Sequence, residues 1–362
     1  MKGIKIIITI VLSLIFSVVG FLGGFLAKLI VDKNALQGDV YVSGELEIHF
    51  IELGNYYTGD CTFINVGNTE VLIDAGSKKD SVDDIYDYIN PLVEDGKIEY
   101  IIVTHAHQDH YAGFCAKESL FNKFEVGMII DFATTEEGKT ETALYQEYQR
   151  ELSEAVESGA IHYTAKQCVD EADGAKKTYA LSPSVTMTIL ETSYYTVGDD
   201  SNENNNSVAT LISQGVRHFL FTGDLDLEGE ESLAELNDLP QVEIYKAGHH
   251  GSGTSSNDCL LSEIKPKHVG VCCCAGSDEY TDVKANQFPS QEFRDRIAPY
   301  TDKVYVTTLA VDIVENTFTS MNGDIKFTST GSGVTVECSN NNTILKDTEW
   351  FKNNRTTPTD WQ

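Results

Sequence analysis

The most constraining feature of this chain is a cluster of imidazoles and a carboxylate set directly after an apolar segment. Tyr100-Ile101-Ile102-Val103-Thr104 runs into His105-Ala106-His107-Gln108-Asp109-His110. Composition alone produces this pattern in fewer than about one chain in 10³. Residues two apart on an extended segment face the same way, so His105 and His107 can converge on one ion, while adjacent Asp109 and His110 diverge and can serve a second. Neutral imidazole and carboxylate are donors that Zn²⁺, Fe²⁺ and Mn²⁺ accept.

A metal needs more donors than one loop offers, and two downstream turns supply them. Phe219-Leu220-Phe221-Thr222-Gly223-Asp224 is an apolar strand delivering a carboxylate, and Val242-Glu243-Ile244-Tyr245-Lys246-Ala247-Gly248-His249-His250-Gly251-Ser252 delivers two imidazoles. A strand-end Asp by itself is commonly a turn former; beside the His cluster it becomes part of a set. Around these turns apolar strand patterns alternate with amphipathic helices, such as Ser81 to Glu94 and Lys139 to Glu157, which predicts an α/β layered fold. The segments Asp170 to Lys177 and Gly198 to Asn206 read as polar loops.

The N-terminus carries a different signal. Ile6 to Ala27 is an unbroken run of 22 apolar and small residues behind Lys2 and Lys5, about 33 Å long as a helix and sufficient to cross a bilayer core. It predicts a single-pass anchor with the body outside the cytoplasm, the alternative being a secreted chain after signal cleavage. The expected organisation is an anchor over 1–31, a linker over 32–44, a main domain over 45–310, and a C-terminal hairpin extension with a polar tail over 311–362. Eight cysteines show no CxxC pair, and Cys272-Cys273-Cys274 lies in an apolar strand pattern, which predicts buried thiols. The chain has 26 Lys+Arg against 56 Asp+Glu, a formal charge of −30. That excludes a basic nucleic-acid-binding module held by phosphate neutralisation and disfavours long nucleic acid as a partner.

With Leu72-Ile73-Asp74-Ala75-Gly76, the His105 to His110 motif, Asn206-Ser207-Val208, Thr222-Gly223-Asp224 and Ala247-Gly248-His249-His250-Gly251-Ser252 together, the chain resembles the metallo-β-lactamase-fold hydrolases, and within them the ComEC-like competence-protein branch. The resemblance covers roughly residues 48–297. It implies a four-layer αββα sandwich with metals at one edge between the sheets. It also implies that His105 and His107 hold the first ion, that Asp109, His110 and His249 hold the second, that Asp224 bridges, and that Asp74 orients a ligand from outside. Two departures stand out: Asn206 occupies a position where many relatives have the histidine that completes the first site, and Gln287-Phe288-Pro289 replaces a His-Pro common in ComEC-like chains.

Beside the expected ligand His249, His250 and Lys246 are read as groups that neutralise charge or donate a proton, and Ser252 and Thr254 as substrate contacts. His49, His162, His218 and His268 lack companions at ligand spacing and are read as structural. The expected activity is metal-dependent hydrolysis of a short or small phosphodiester or ester by a metal-activated water, with one or two Zn²⁺ ions and Mn²⁺ or Fe²⁺ as alternatives. The competing readings are a ComEC-like DNA nuclease, an iron-dependent oxidoreductase and a non-catalytic metal-binding module.

Overall fold

The computed structural model describes residues 46–362. The expected anchor and linker lie outside the described residues. Among those described, no helix is long and apolar enough to cross a membrane.

Sixteen strands form two eight-stranded sheets. The first sheet contains Leu46–Phe50 (β1), Thr62–Asn65 (β2), Glu70–Ile73 (β3), Lys97–Val103 (β4), Glu125–Asp131 (β5) and Ile161–Thr164 (β6), completed by Ile325–Thr330 (β15) and Gly333–Cys338 (β16). Its order is β16-β15-β1-β2-β3-β4-β5-β6. The second sheet contains Thr178–Ala180 (β7), Val185–Ile189 (β8), Thr210–Gln214 (β9), Arg217–Phe221 (β10), Ile244–Lys246 (β11), His268–Ala275 (β12), Val304–Asp312 (β13) and Thr317–Ser320 (β14), arranged in reverse sequence order. In each sheet a parallel half, β3 to β6 and β10 to β13, is flanked by antiparallel strands.

Period-two side-chain alternation builds the layers. On β12, Cys272 faces the core between the sheets, whereas Val269, Val271, Cys273 and Ala275 face the helices Asp258–Ile264 and Gln291–Ile297. All eight cysteines are free thiols, and those on β12 are buried. Between the sheets Phe50 lies 6.4 Å from Phe221 and 5.9 Å from Phe327. Gly270 lets the Phe50 ring approach, since a Cβ there would strike it. Helices Ser81–Ile89 and Ala143–Glu157 bury Ile85, Ile89, Tyr148 and Leu152 on the outside of the first sheet. The architecture is a two-sheet α/β sandwich with helices outside.

Three strands escaped the sequence reading. Each of β6, β7 and β14 has three or four residues and includes exposed positions, too short for a period to declare itself. The C-terminal tail, expected to be polar and surface-laid, instead packs: Leu345, Phe351 and Trp361 are buried, with Phe351 and Trp361 rings 5.7 Å apart. Of the two expected polar loops, 198–206 ends in the buried 3-10 turn Glu203–Asn206.

Candidate metal centre

The parallel halves place their carboxyl ends at one edge, and the polar residues that follow those strands meet there. Asp74 follows β3, the His105 to His110 segment follows β4, Asp224 follows β10, and Lys246 ends β11 ahead of the His249-His250 turn. Backbone bonds lock these loops across the cleft: Ala75 N donates to His110 O at 2.7 Å, Gly76 N to Asp60 O at 2.8 Å, and Asp60 N to Asp109 O at 2.9 Å. Gly76 is required by this approach, because a Cβ would collide with the Asp109 carbonyl.

Asp74 accepts from Thr104 N at 2.8 Å and Thr104 Oγ1 at 2.7 Å, and lies 2.7 Å from His110 Nδ1. With Nδ1 so occupied, His110 presents Nε2 to Asp224 Oδ2 at 3.1 Å. His250 is arranged likewise. Its Nδ1 lies 3.1 Å from Asp60 Oδ1 and 3.0 Å from the Cys272 carbonyl, and its Nε2 lies 3.3 Å from both Asp109 Oδ2 and Asp224 Oδ2. Atoms of Asp60, His110, Asp224 and His250 all lie within 4.8 Å of one another, and all four residues are buried. His105 Nε2 meets His107 Nδ1 at 2.9 Å, with the His105 ring 4.2 Å from that of His110.

The sequence reading gave His249 to the second ion and made His250 a proton donor. In the structure it is His250 Nε2 that stands between Asp109 and Asp224. His249 Nε2 is 4.0 Å from Asp224 Oδ2, and its Nδ1 is held by Asp226 at 3.1 Å and Thr254 Oγ1 at 2.9 Å. Ser252 Oγ and Thr254 Oγ1 bond each other at 3.0 Å, and Thr254, which is exposed, also meets His249 Nδ1. Lys246 is buried, ion-paired with Asp60, and 3.6 Å from Asp224 Oδ1; it neutralises carboxylates inside the protein. Asn206 is turned away from the imidazoles, accepting from Thr134 Oγ1 at 2.9 Å and Asp199 N at 3.0 Å and donating to Glu203 Oε2 at 3.2 Å. The histidines read as structural behave so: His162 pairs with Asp131, His49 with Tyr88, and His218 with Ser213.

Three residues were missed. Asp60 sits in a loop after Gly59, with no apolar strand to announce it. Glu203 braces the His loop, accepting from Ala106 N at 2.8 Å, Thr135 Oγ1 at 2.9 Å and Glu136 N at 2.6 Å. Tyr280 reaches in from the loop after β12, donating to Asp109 Oδ2 at 2.6 Å, with its ring 5.4 Å from Phe288. Phe288 stands 5.8 and 5.9 Å from the His249 and His250 rings, on the segment where a His-Pro was expected.

The electrostatics suit a cation. Burial would push the His110 imidazole down, but Asp224 and Asp74 overcome it and raise it to about 10. Burial likewise opposes the charge on His250, which Asp224 and Asp60 hold well above the usual imidazole range. Burial depresses His105 well below that range and brings His107 down to about 4, so both present neutral lone pairs. Unless His110 and His250 carry the protons these carboxylates favour, Asp60, Asp74, Asp109 and Asp224 are offset only by the Lys246 ammonium beside Asp60 and Asp224, and an uncompensated buried charge is costly. Asp224 Oδ1 and His250 Nε2 are also buried without a hydrogen-bond partner. Excess carboxylate and two orphaned donor atoms fit a divalent ion. Strained backbone is present here too: Asp74, His249 and His250 have φ of 61°, 46° and 55°. Left-handed backbone in non-glycine residues costs on the order of 1–3 kcal/mol each and collects at functional sites.

Residues 55–114 match the family described as the metallo-beta-lactamase superfamily. The chain is 28% identical over 116 residues to Recombination protein 2 of Haemophilus influenzae, covering 32% of this chain and 14% of that protein. It is 30% identical over 69 residues to ComE operon protein 3 of Bacillus subtilis, covering 19% of this chain and 9% of that protein. The chain is thus similar to the metallo-β-lactamase superfamily over that segment and to competence-type proteins over a part of their length. It spans only a small part of the length of these relatives. Among solved structures, the metallo-β-lactamase fold protein YhfI from Bacillus subtilis aligns over 74% of this chain and 90% of its own, at 12% identity and a TM-score of 0.39. The family match ends just after His110 and Tyr111, so it takes in Asp60, Asp74 and the whole His loop.

Proposed function

We propose that this chain is a metal-dependent hydrolase of short or small phosphodiester-type substrates, acting outside the cytoplasm from an N-terminal anchor. The observation that carries the reading is the convergence of His110 Nε2, His250 Nε2, Asp109 and Asp224 with two donor atoms lacking partners. In it His105, His107, Asp109, His110, Asp224 and His250 hold one or two ions, Zn²⁺ or Mn²⁺ by their donor chemistry. A divalent ion held by these residues would supply activation of water at neutral pH and charge stabilisation at the scissile group.

The chain's own residues do the rest. Asp74 fixes the tautomer of His110 and the Cys272 carbonyl that of His250, with Asp60 close by, as outer partners do for imidazole ligands. Lys246 offsets part of the buried negative charge, and Tyr280 and Phe288 stand over Asp109 and the histidine turn. A body of charge −30 repels a long polyanion, whereas a single phosphodiester needs neutralisation only at the centre.

The test is hydrolysis of bis(p-nitrophenyl) phosphate, dinucleotides and long duplex DNA by the purified chain with Zn²⁺ or Mn²⁺, before and after chelation. Chelator-sensitive turnover of the small esters is expected, at least roughly 10³-fold reduced in Asp224→Ala, taking about 1.4 kcal/mol per decade. Duplex binding tighter than micromolar with a steep salt slope would overturn the small-substrate reading in favour of a nuclease. Turnover indifferent to chelation would overturn the metal-dependent reading altogether.

A further inference from the structure

We infer that the cavity of about 270 Å³ beside the His loop, at the ends of β5 and β6, is the subsite for the substrate's second ester group, and that it takes an uncharged ring carrying hydrogen-bond donors and acceptors. The inference rests on the hydrolase reading above and names the kind of substrate it would favour.

Place comes first. The last residues of three parallel strands stand in register, Val103 with Asp131 and Asp131 with Thr164, and the His loop begins one residue after Val103. Neighbouring strands lie about 4.8 Å apart, so the cavity over Asp131 and Thr164 runs from about 5 to about 10 Å along the edge from the strand that delivers His105. The carboxyl edge of a parallel sheet is where such folds take ligands. One carboxylate joins the cavity wall to the loop: Glu203 accepts from Thr135 Oγ1 at 2.9 Å and from Ala106 N, between His105 and His107, at 2.8 Å. A ring held here sits a short linkage away from an ester group at the centre.

Chemistry selects the occupant. No Lys or Arg lines the cavity, and its one carboxylate, Asp131, is taken by His162 Nε2 at 2.8 Å and by the Tyr148 hydroxyl at 3.0 Å. A charged group would enter without a counter-ion and lose its hydration. The walls offer neutral partners instead. Among the described residues nothing bonds the Tyr145 hydroxyl or the Gln149 carboxamide, and His162, held through Nε2, keeps Nδ1 unbonded. A phenol, a carboxamide and an imidazole nitrogen together supply both donors and acceptors. The Tyr145 ring adds an apolar face, tilted 46° against Phe132 rather than stacked on it. The volume falls just under the roughly 300–1,000 Å³ of small-molecule pockets and gives room for one ring. Sugar rings and nucleobases share this chemistry.

The experiment compares three p-nitrophenyl phosphodiesters, with methyl, thymidine or glucose as the second ester group, on the full chain with Mn²⁺. All three share a leaving group, so the ratio of kcat/KM for a ring ester over the methyl ester isolates the subsite. Two neutral hydrogen bonds should make that ratio at least about 10 for one of the rings, thymidine marking a base site and glucose a sugar site. Gln149→Ala deletes one such group at a half-exposed helix position and should cut the ratio roughly 3–10-fold. Gln149→Trp, which fills the cavity, should bring it to about one. Equal kcat/KM for all three esters, or a ratio indifferent to Gln149→Trp, overturns the subsite and leaves the hydrolase standing. If no ester turns over, saturation-transfer NMR with thymidine and methyl glucoside reads the cavity directly. Ring binding that Gln149→Trp abolishes then keeps the subsite and defeats the hydrolase reading, whereas ring binding absent or indifferent to that substitution defeats both.

Discussion

Single side chains decide how firmly the centre is held. Glu203 is buried and its carboxylate gathers donors from Ala106, Thr135, Glu136 and Asn206. Removing it strands two buried donors, Ala106 N and the Asn206 amide, each worth on the order of 1–3 kcal/mol when unsatisfied, and two partly exposed ones. Glu203→Ala should lose about 2–4 kcal/mol in denaturant unfolding and slacken the His105 to His110 loop, lowering metal affinity as well. Far from the centre, Glu70 tests burial beside a second carboxylate. Its carboxyl is raised to about 8 by burial and by the neighbouring Glu99, and Oε2 has no partner. A folded-state value above the ordinary 4.5 means the stability this group contributes is full below about pH 4.5 and is lost as pH rises through about 8. Glu70→Gln should therefore match wild type in thermal unfolding at pH 5 and exceed it by roughly 2 °C or more at pH 9. An equal advantage at both pH values would show that packing, not ionisation, governs the site.

At the scale of elements, the loop from Ser277 to Pro289 ties the second sheet to the first across the cleft. Tyr56 OH donates to Asp278 at 2.9 Å, Thr58 N donates to Glu279 at 2.8 Å, and Tyr280 reaches Asp109. Tyr280→Phe keeps the ring on Phe288 and deletes only the bond to Asp109. It should leave the unfolding midpoint nearly unchanged while weakening metal retention about 10-fold in a chelator titration, as loss of an outer partner does. Gln287-Phe288-Pro289 stood out in the sequence but Tyr280 did not, because a contact across 171 residues leaves no local period. What was legible follows the same logic. Asp74, the His loop and Asp224 each end a strong apolar strand, and strand ends are where parallel sheets present ligands. Asp60 ends no such strand, and its role depends on Lys246 and His250 arriving from the other sheet. Which of two adjacent histidines faces Asp109 turns on φ values near 50°, which residue types do not encode.

Over the whole molecule, the charge of −30 sets how a substrate arrives. Repulsion between like charges weakens as salt shortens the screening length from about 10 Å at 0.1 M toward 3 Å at 1 M. The kcat/KM for an anionic phosphodiester should accordingly rise with ionic strength, while that for a neutral ester stays level; a fall for the anionic substrate would mean a positive groove guides it. The chain's order of synthesis meets a different constraint, set by β15. That strand covers the free edge of β1, pairing Ile325 with Phe50 through Ser329 with Leu46, and nothing made earlier takes its place. A ribosome adding roughly 5–20 residues per second needs about 4–15 s to travel from His250 to Ile325. Throughout that interval every ligand has been made while a strand at the front of the chain lies open to pairing with any other nascent chain. Cover for the β1 edge thus waits on β15, and a chain stopped before Ile325 should carry the full ligand set yet emerge as an aggregate.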